Sequence, residues 1–187
     1  SRSKKDLLEL GINKKKIKLF NNPSIKENFI FNYKKKIKDQ KIRNKKYLIY
    51  VGRMVPHKNL DFLIKVFYEL SKTLNIKLLL IGQGSEIISL KNQVKELNIK
   101  NKVIFKDYVL NPLPYIKNSS LYLSFSDFEG QPNSVIQSLA CGTKTIVKYF
   151  PGIENIKKLN NLEVVYNLEL SKISKNITKI LIKKRKN

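Results

Sequence analysis

Residues 124–147 read SFSDFEGQPNSVIQSLACGTKTIV. They complete an apolar run, LYLSF from Leu121, that predicts a buried parallel strand. The run breaks at Gly130 and restarts at Pro132 as a helix ending near Gly142. Strand, tight loop and helix in that order belong to an α/β sheet, where the loop lies at the carboxyl ends of the strands and the helix start offers N–H groups to an anion. At about 100° per residue, Val135, Ile136, Leu139 and Ala140 fall on one arc and Asn133, Ser134, Gln137 and Ser138 on the other. The first arc is expected on the sheet and the second toward a cleft with Glu129 at its mouth. Spacing alone also fits an ordinary helix entry, with Glu129 placed there by the helix dipole.

Working outward, apolar runs and helical periods alternate. YLIYVG from Tyr47, IKLLLIG from Ile76, KVIF from Lys102, TIV from Thr145 and LEVVY from Leu162 read as further strands. Residues 60, 63, 64, 67, 70 and 74 are apolar at helical spacing, and 85–99, 112–119 and a turn near 153–159 are read as helical. The alternation predicts a doubly wound, Rossmann-like parallel sheet of the α/β class. Before it, the first ten residues read as a short helix, KKKIKLFNNPSI as a strand entering a turn at Asn22-Pro23, and 26–46 as a solvated, lysine-rich loop or frayed helix. After it, 166–187 reads as a basic amphipathic helix with apolar residues at 170, 173, 177, 180 and 181. Packing on its own domain is the commoner use of such a stripe, and a membrane surface is the other.

With 187 residues and 42% hydrophobic content, the chain is long enough for one domain with a core of its own plus an appendage. No apolar run approaches a spanning helix and no signal peptide opens the chain, so the expected location is cytoplasmic. The single cysteine, Cys141, can form no intrachain disulfide and is read as structural. The 38 basic and 14 acidic residues give a net charge of +24. Such a charge invites nucleic acid or an anionic membrane as partner. The lysines are scattered, however, and Lys, Asn and Ile are over-used together, which points to base-composition bias for most of the excess. No nucleic-acid motif is present, so a basic nucleic-acid-binding domain is kept only as the lesser alternative.

EGQPNSVIQSLACGT, beginning at Glu129, resembles the E-G-x-P-x-x-x-x-E-A-x-A-x-G block of the family-four retaining glycosyltransferases of the GT-B fold. YVGRMVPHKNLDFLIKVF, LLLIGQGSE, NNPSI and FKDYVLN resemble four further landmarks of that family's second half, in the same order. The likeness runs from the first residues to about residue 157. It implies that 1–22 closes a preceding domain and linker and that 23–165 forms the nucleotide-sugar-binding domain. In the family the residues matching Arg53 and Lys58 bind the donor diphosphate and stabilise its departure, so no metal cofactor is expected. The residue matching Glu129 orients the transferred sugar. Gly52, Gly82 and Gly84 would let backbone approach the nucleotide, while Gly130, Gln131 and Asn133 offer amides and Ser134 lies on the cleft arc. Gln137 stands where the family has a second glutamate, which accepts bonds from the ribose. A Gln carbonyl still accepts one such bond, at an expected loss of about 1–2 kcal/mol.

The resemblance implies a UDP- or GDP-sugar donor and a glycan or lipid-linked acceptor. It also implies that the acceptor-binding half is absent from this chain, which alone is expected to have negligible activity, with a separate N-terminal-half chain as the candidate partner; the basic charge and the tail helix add peripheral contact with an anionic membrane at its inner face as a further expectation. Lys144, in place of Pro, and Asp107, in place of Gly, depart from the pattern. With Gln137 they leave open a decayed or non-catalytic nucleotide-sugar-binding fragment. Ser126-Asp127-Phe128-Glu129 superficially resembles a metal-binding D-x-D and is discounted, and His57 is read as a surface residue.

Overall fold

The computed structural model describes residues 7–18, 25, 32–37, 39–40, 42–154 and 156–183. Six strands form one parallel sheet: β1 (Tyr47–Val51), β2 (Lys77–Ile81), β3 (Val103–Lys106), β4 (Leu121–Ser124), β5 (Thr145–Lys148) and β6 (Leu162–Val165). The order across the sheet is β3-β2-β1-β4-β5-β6. The helices are α1 (Leu60–Ser71), α2 (Ile87–Glu96), α3 (Leu113–Lys117), α4 (Asn133–Ala140) and α5 (Leu170–Lys183). The doubly wound reading is thus what the chain adopts, with the direction of winding reversing between β1 and β4.

Two apolar layers sandwich the sheet because successive strand side chains point to opposite faces. Leu48, Tyr50, Leu78, Leu80, Leu121 and Leu123 join α1, α2 and α5 on one side. Tyr47, Ile49, Leu79, Ile81 and Tyr122 face α3 and α4 on the other. Ile173, Ile177 and Leu181 of α5 belong to the first layer, so the apolar stripe of the tail is spent inside the domain.

Three local expectations are corrected. Lys14–Lys16 form a 3-10 turn, not a strand, because Asn13 Oδ1 accepts the Lys15 amide at 2.9 Å and offers the backbone a local bond in place of a ladder. The rest of that expected strand and its Asn22-Pro23 turn lie outside the described residues, as do residues 1–6 of the first helix. The 26–46 segment is not wholly solvated: Ile42 is buried, and Tyr33 and Ile37 pack beside it on the second layer. On α4 the buried arc is shifted. Ser138 is fully buried and Ala140 exposed, since the Ser138 hydroxyl bonds the Val135 carbonyl and Thr145 Oγ1, both at 2.7 Å, and so enters the core without an unmet polar atom.

Candidate functional site

The carboxyl ends of β1 and β4 lie side by side at the point where the winding reverses, the place where open α/β sheets bind ligands. From β1 the chain runs through Gly52 and Arg53 into a 3-10 turn, Pro56–Lys58, and then Asn59 at φ 51° before α1 begins. Asparagine is among the few side chains that tolerate this left-handed backbone. Its amide also bonds the Phe125 carbonyl at 2.9 Å and Asp127 Oδ1 at 2.8 Å. The Asp127 amide donates to the His57 carbonyl at 2.9 Å, and the His57 ring stacks on Phe128 with centroids 4.3 Å apart. These bonds zip the loop after β1 to the loop after β4.

The zipped loops bring Lys58 to Glu129. Lys58 Nζ lies 2.6 Å from Glu129 Oε1, with side-chain exposures of 8% and 19%. Ser126 donates to the same oxygen at 2.9 Å and stands 3.2 Å from Ser124 Oγ. Lys58 and Ser126 therefore both meet Oε1 of Glu129. Two buried tyrosines underlie the pair. Tyr122 OH sits 2.8 Å from Ser134 Oγ and 3.2 Å from the Val51 carbonyl, tying the first turn of α4 to the end of β1. Tyr50 OH donates to the Arg53 carbonyl at 2.9 Å. Burial, with Tyr122 and Glu129 nearby, pushes the Tyr50 phenol well above its ordinary range, and the Arg53 charge opposes them. Arg53 itself is exposed, five residues before Lys58 on the loop that follows β1.

The other candidates divide. Gly130 lies before α4 with open space where a Cβ would be, and Gln131 and Gln137 are half-buried nearby in sequence. The Asn133 amide, expected to face a ligand, donates instead to the Gln131 carbonyl at 2.9 Å. Gly82, at φ 141°, and Gly84 press against backbone: a Cβ would come within 1.9 Å of Gly52 O and 2.1 Å of Met54 O. They let the loops after β1 and β2 close on one another, and the Met54 amide bonds the Gln83 carbonyl at 2.8 Å there. At Gly52 a Cβ would meet Tyr50 OH at 2.6 Å.

Asp127 is taken up by Lys148, 2.5 Å away, and by Asn59; the Lys148 bond chiefly holds its carboxyl below the usual range. Lys144 lies 3.8 Å from Glu163 across the β5–β6 edge, and Asp107 is exposed beyond β3. His57, expected at the surface, is half-buried. Sequence reading missed Tyr50, Tyr122, Ser126 and Asn59. For the two tyrosines the available signal was a hydroxyl-bearing side chain set in an apolar strand; Asn59 and Ser126 lie in loops and carry no such signal.

Solved glycosyltransferases share this architecture. Staphylococcus aureus TarM, crystallised with UDP, superposes with a TM-score of 0.75 over 97% of this chain and 35% of that one at 21% identity. Anabaena HepE with UDP gives 0.76 over 98% and 53% at 17%. At these identities the likeness speaks for the fold. In sequence, the Campylobacter jejuni N-acetylgalactosamine-N,N'-diacetylbacillosaminyl-diphospho-undecaprenol 4-alpha-N-acetylgalactosaminyltransferase is 35% identical over 101 residues, covering 54% of this chain and 27% of that protein. The Staphylococcus aureus poly(ribitol-phosphate) alpha-N-acetylglucosaminyltransferase is 28% identical over 113 residues, covering 58% and 23%. The chain spans about a quarter of the length of these two relatives. Residues 32–187 match the family model described as glycosyl transferases group 1, and the chain belongs to that family.

Proposed function

We propose that this chain binds a nucleotide-diphosphate sugar and forms the donor side of a retaining glycosyltransferase. The observation that carries the reading is the Lys58–Glu129 contact at the β1–β4 reversal, with Arg53 exposed on the same loop as Lys58. Arg53 offers a planar fork and Lys58 a point charge, a pairing suited to a diphosphate. The Glu129 carboxylate orients the sugar hydroxyls, while Lys58 and Arg53 oppose the negative charge that grows on the departing diphosphate. The two cations supply that charge compensation, so we propose that turnover needs no divalent metal and survives chelation by EDTA.

Two relatives are named for a diphospho-undecaprenol-linked and a poly(ribitol-phosphate) acceptor. We extend a lipid-linked or polymeric glycan acceptor to this chain, bound by surfaces outside these residues. Isolated, the chain is expected to turn over negligibly. Gln137, one acceptor site poorer than a glutamate, favours a second reading in which the domain binds donor without catalysing transfer.

Calorimetry with a panel of UDP- and GDP-sugars tests the first step. Binding of at least one donor, weakened roughly 10–100-fold by Arg53→Ala or Lys58→Ala, is expected. Silence toward every donor overturns the proposal. Transfer assays with an added acceptor-binding half then separate the catalytic from the non-catalytic reading.

A further inference from the structure

Orienting sugar hydroxyls needs only a hydrogen-bond acceptor, which a neutral amide supplies. Position 129 carries a carboxylate instead, and it stands 2.6 Å from the ammonium that the donor reading assigns to the diphosphate. Before any ligand arrives, that cation already has a counter-charge. The pair has little freedom to part. Ser126, 1% exposed, donates to the same Glu129 oxygen at 2.9 Å, with Ser124 Oγ 3.2 Å behind it. Lys58 closes a 3-10 turn in which its amide bonds the Val55 carbonyl at 3.0 Å, and its side chain is almost withdrawn from water. The Asn59–Asp127 bond keeps the two loops from separating.

A phosphate oxygen bonded to Lys58 comes within about 5 Å of the Glu129 carboxylate, where like charges in a partly buried site repel strongly. How strongly depends on what the terminal phosphate carries. With a sugar attached, that phosphate holds a single negative charge, and in the donor reading the sugar hydroxyls donate to the carboxylate. Without the sugar, the second ionisation of the phosphate, at about pH 6, is largely complete at neutral pH. The bare nucleotide therefore brings more charge to the carboxylate and no hydroxyl to offset it.

We propose that the Lys58–Glu129 pair makes the site favour a sugar-bearing nucleotide over the bare nucleoside diphosphate. Glu129 is the specificity-determining residue, acting by repulsion toward the unwanted ligand as well as by attraction toward the wanted one. Ser126 is a positioning residue that keeps the carboxylate beside Lys58. A spent nucleotide meets the repulsion unrelieved and is released, whereas an intact donor relieves it through its hydroxyls. This rests on the donor reading, which by itself does not require that removing one charge should tighten the bare nucleotide alone.

Calorimetry on the full chain tests it, with UDP beside UDP-glucose and UDP-N-acetylglucosamine, and GDP beside GDP-mannose, as probes. Glu129→Gln should tighten the bare nucleoside diphosphate about 5–10-fold and should not tighten its sugar form. Ser126→Ala keeps the charge but loosens its hold, and should shift the ratio of the two affinities in the same direction by a smaller factor. Glu69→Gln makes the same charge change at the far end of α1, beside Lys72, and should leave both affinities within about twofold. Saturating nucleoside diphosphate should also raise the melting temperature of Glu129→Gln more than that of the wild type. If the wild type binds both forms, then equal tightening of both by Glu129→Gln, or no tightening of the bare nucleotide, overturns the proposal and leaves the donor reading standing. Parallel losses of both ligands in Ser126→Ala overturn the positioning role. Silence of the wild type toward every probe overturns the proposal together with the donor reading.

Discussion

Lys58 and Glu129, 71 positions apart in sequence, meet at 2.6 Å with both side chains largely withdrawn from water. Neither residue's own helix or strand brings them together. The contact exists because Asn59 and Asp127 lock the two loops that carry them.

Removing one partner should cost more than removing both. Lys58→Met leaves a part-buried carboxylate with only Ser126 and is expected to destabilise the chain by about 1–3 kcal/mol. Lys58→Met combined with Glu129→Gln should recover much of that. Urea unfolding of the two single variants and the double variant checks the cycle, and simple additivity would show that the two do not act as a pair.

The glycines should split by position. Gly82→Ala and Gly84→Ala drive a Cβ into backbone at 1.9 and 2.1 Å, so both variants should be severely destabilised or fail to fold. Gly130→Ala meets nothing within 4 Å and should fold, with a change in urea midpoint worth under about 1 kcal/mol. A loss of donor affinity in that folded variant, measured by calorimetry, would place the Gly130 backbone against the ligand.

Restoring the family's acid is informative in the other direction. Gln137→Glu should tighten donor binding about 5–10-fold through an added charged acceptor for the ribose. Titration of the wild type and variant with one UDP-sugar reads the difference, and weaker binding would remove Gln137 from the ribose site.

Acid should loosen the zipped loops. The Asp127 carboxyl is depressed, chiefly by Lys148, so its stabilising bond is complete above the unfolded-state value near 3.8 and is lost as pH falls through the lower folded-state value. Asp127→Asn should flatten the stability profile below about pH 4 and leave its slope near neutrality unchanged. Urea midpoints at a series of pH values read both slopes.

The strands were legible as unbroken apolar runs, because a parallel sheet buried on both faces leaves no alternation at Tyr47 to Tyr50, and the long helices by a period near 3.6 on Leu60, Leu63, Ile64 and Phe67. The charged site candidates were legible from the family resemblance, and Lys58 and Glu129 do meet. What stayed hidden is what periodicity does not encode. Tyr122 looks like one more core residue until its hydroxyl is seen between Val51 and Ser134. Asn59 looks like a linker until its φ and both its bonds are known. Ser138 falls on the polar arc by periodicity and is buried all the same, because a hydroxyl satisfied by Val135 and Thr145 buries as readily as an alanine.

The β1–β4 pairing joins segments that are remote along the polypeptide, with register Leu48 to Leu121 and Ile49 to Tyr122. Closing so long a loop belongs to the late, expensive part of folding. A ligand seated across that seam would therefore brace the whole cooperative unit, and its occupancy should register as slower exchange of the innermost amides of both central strands.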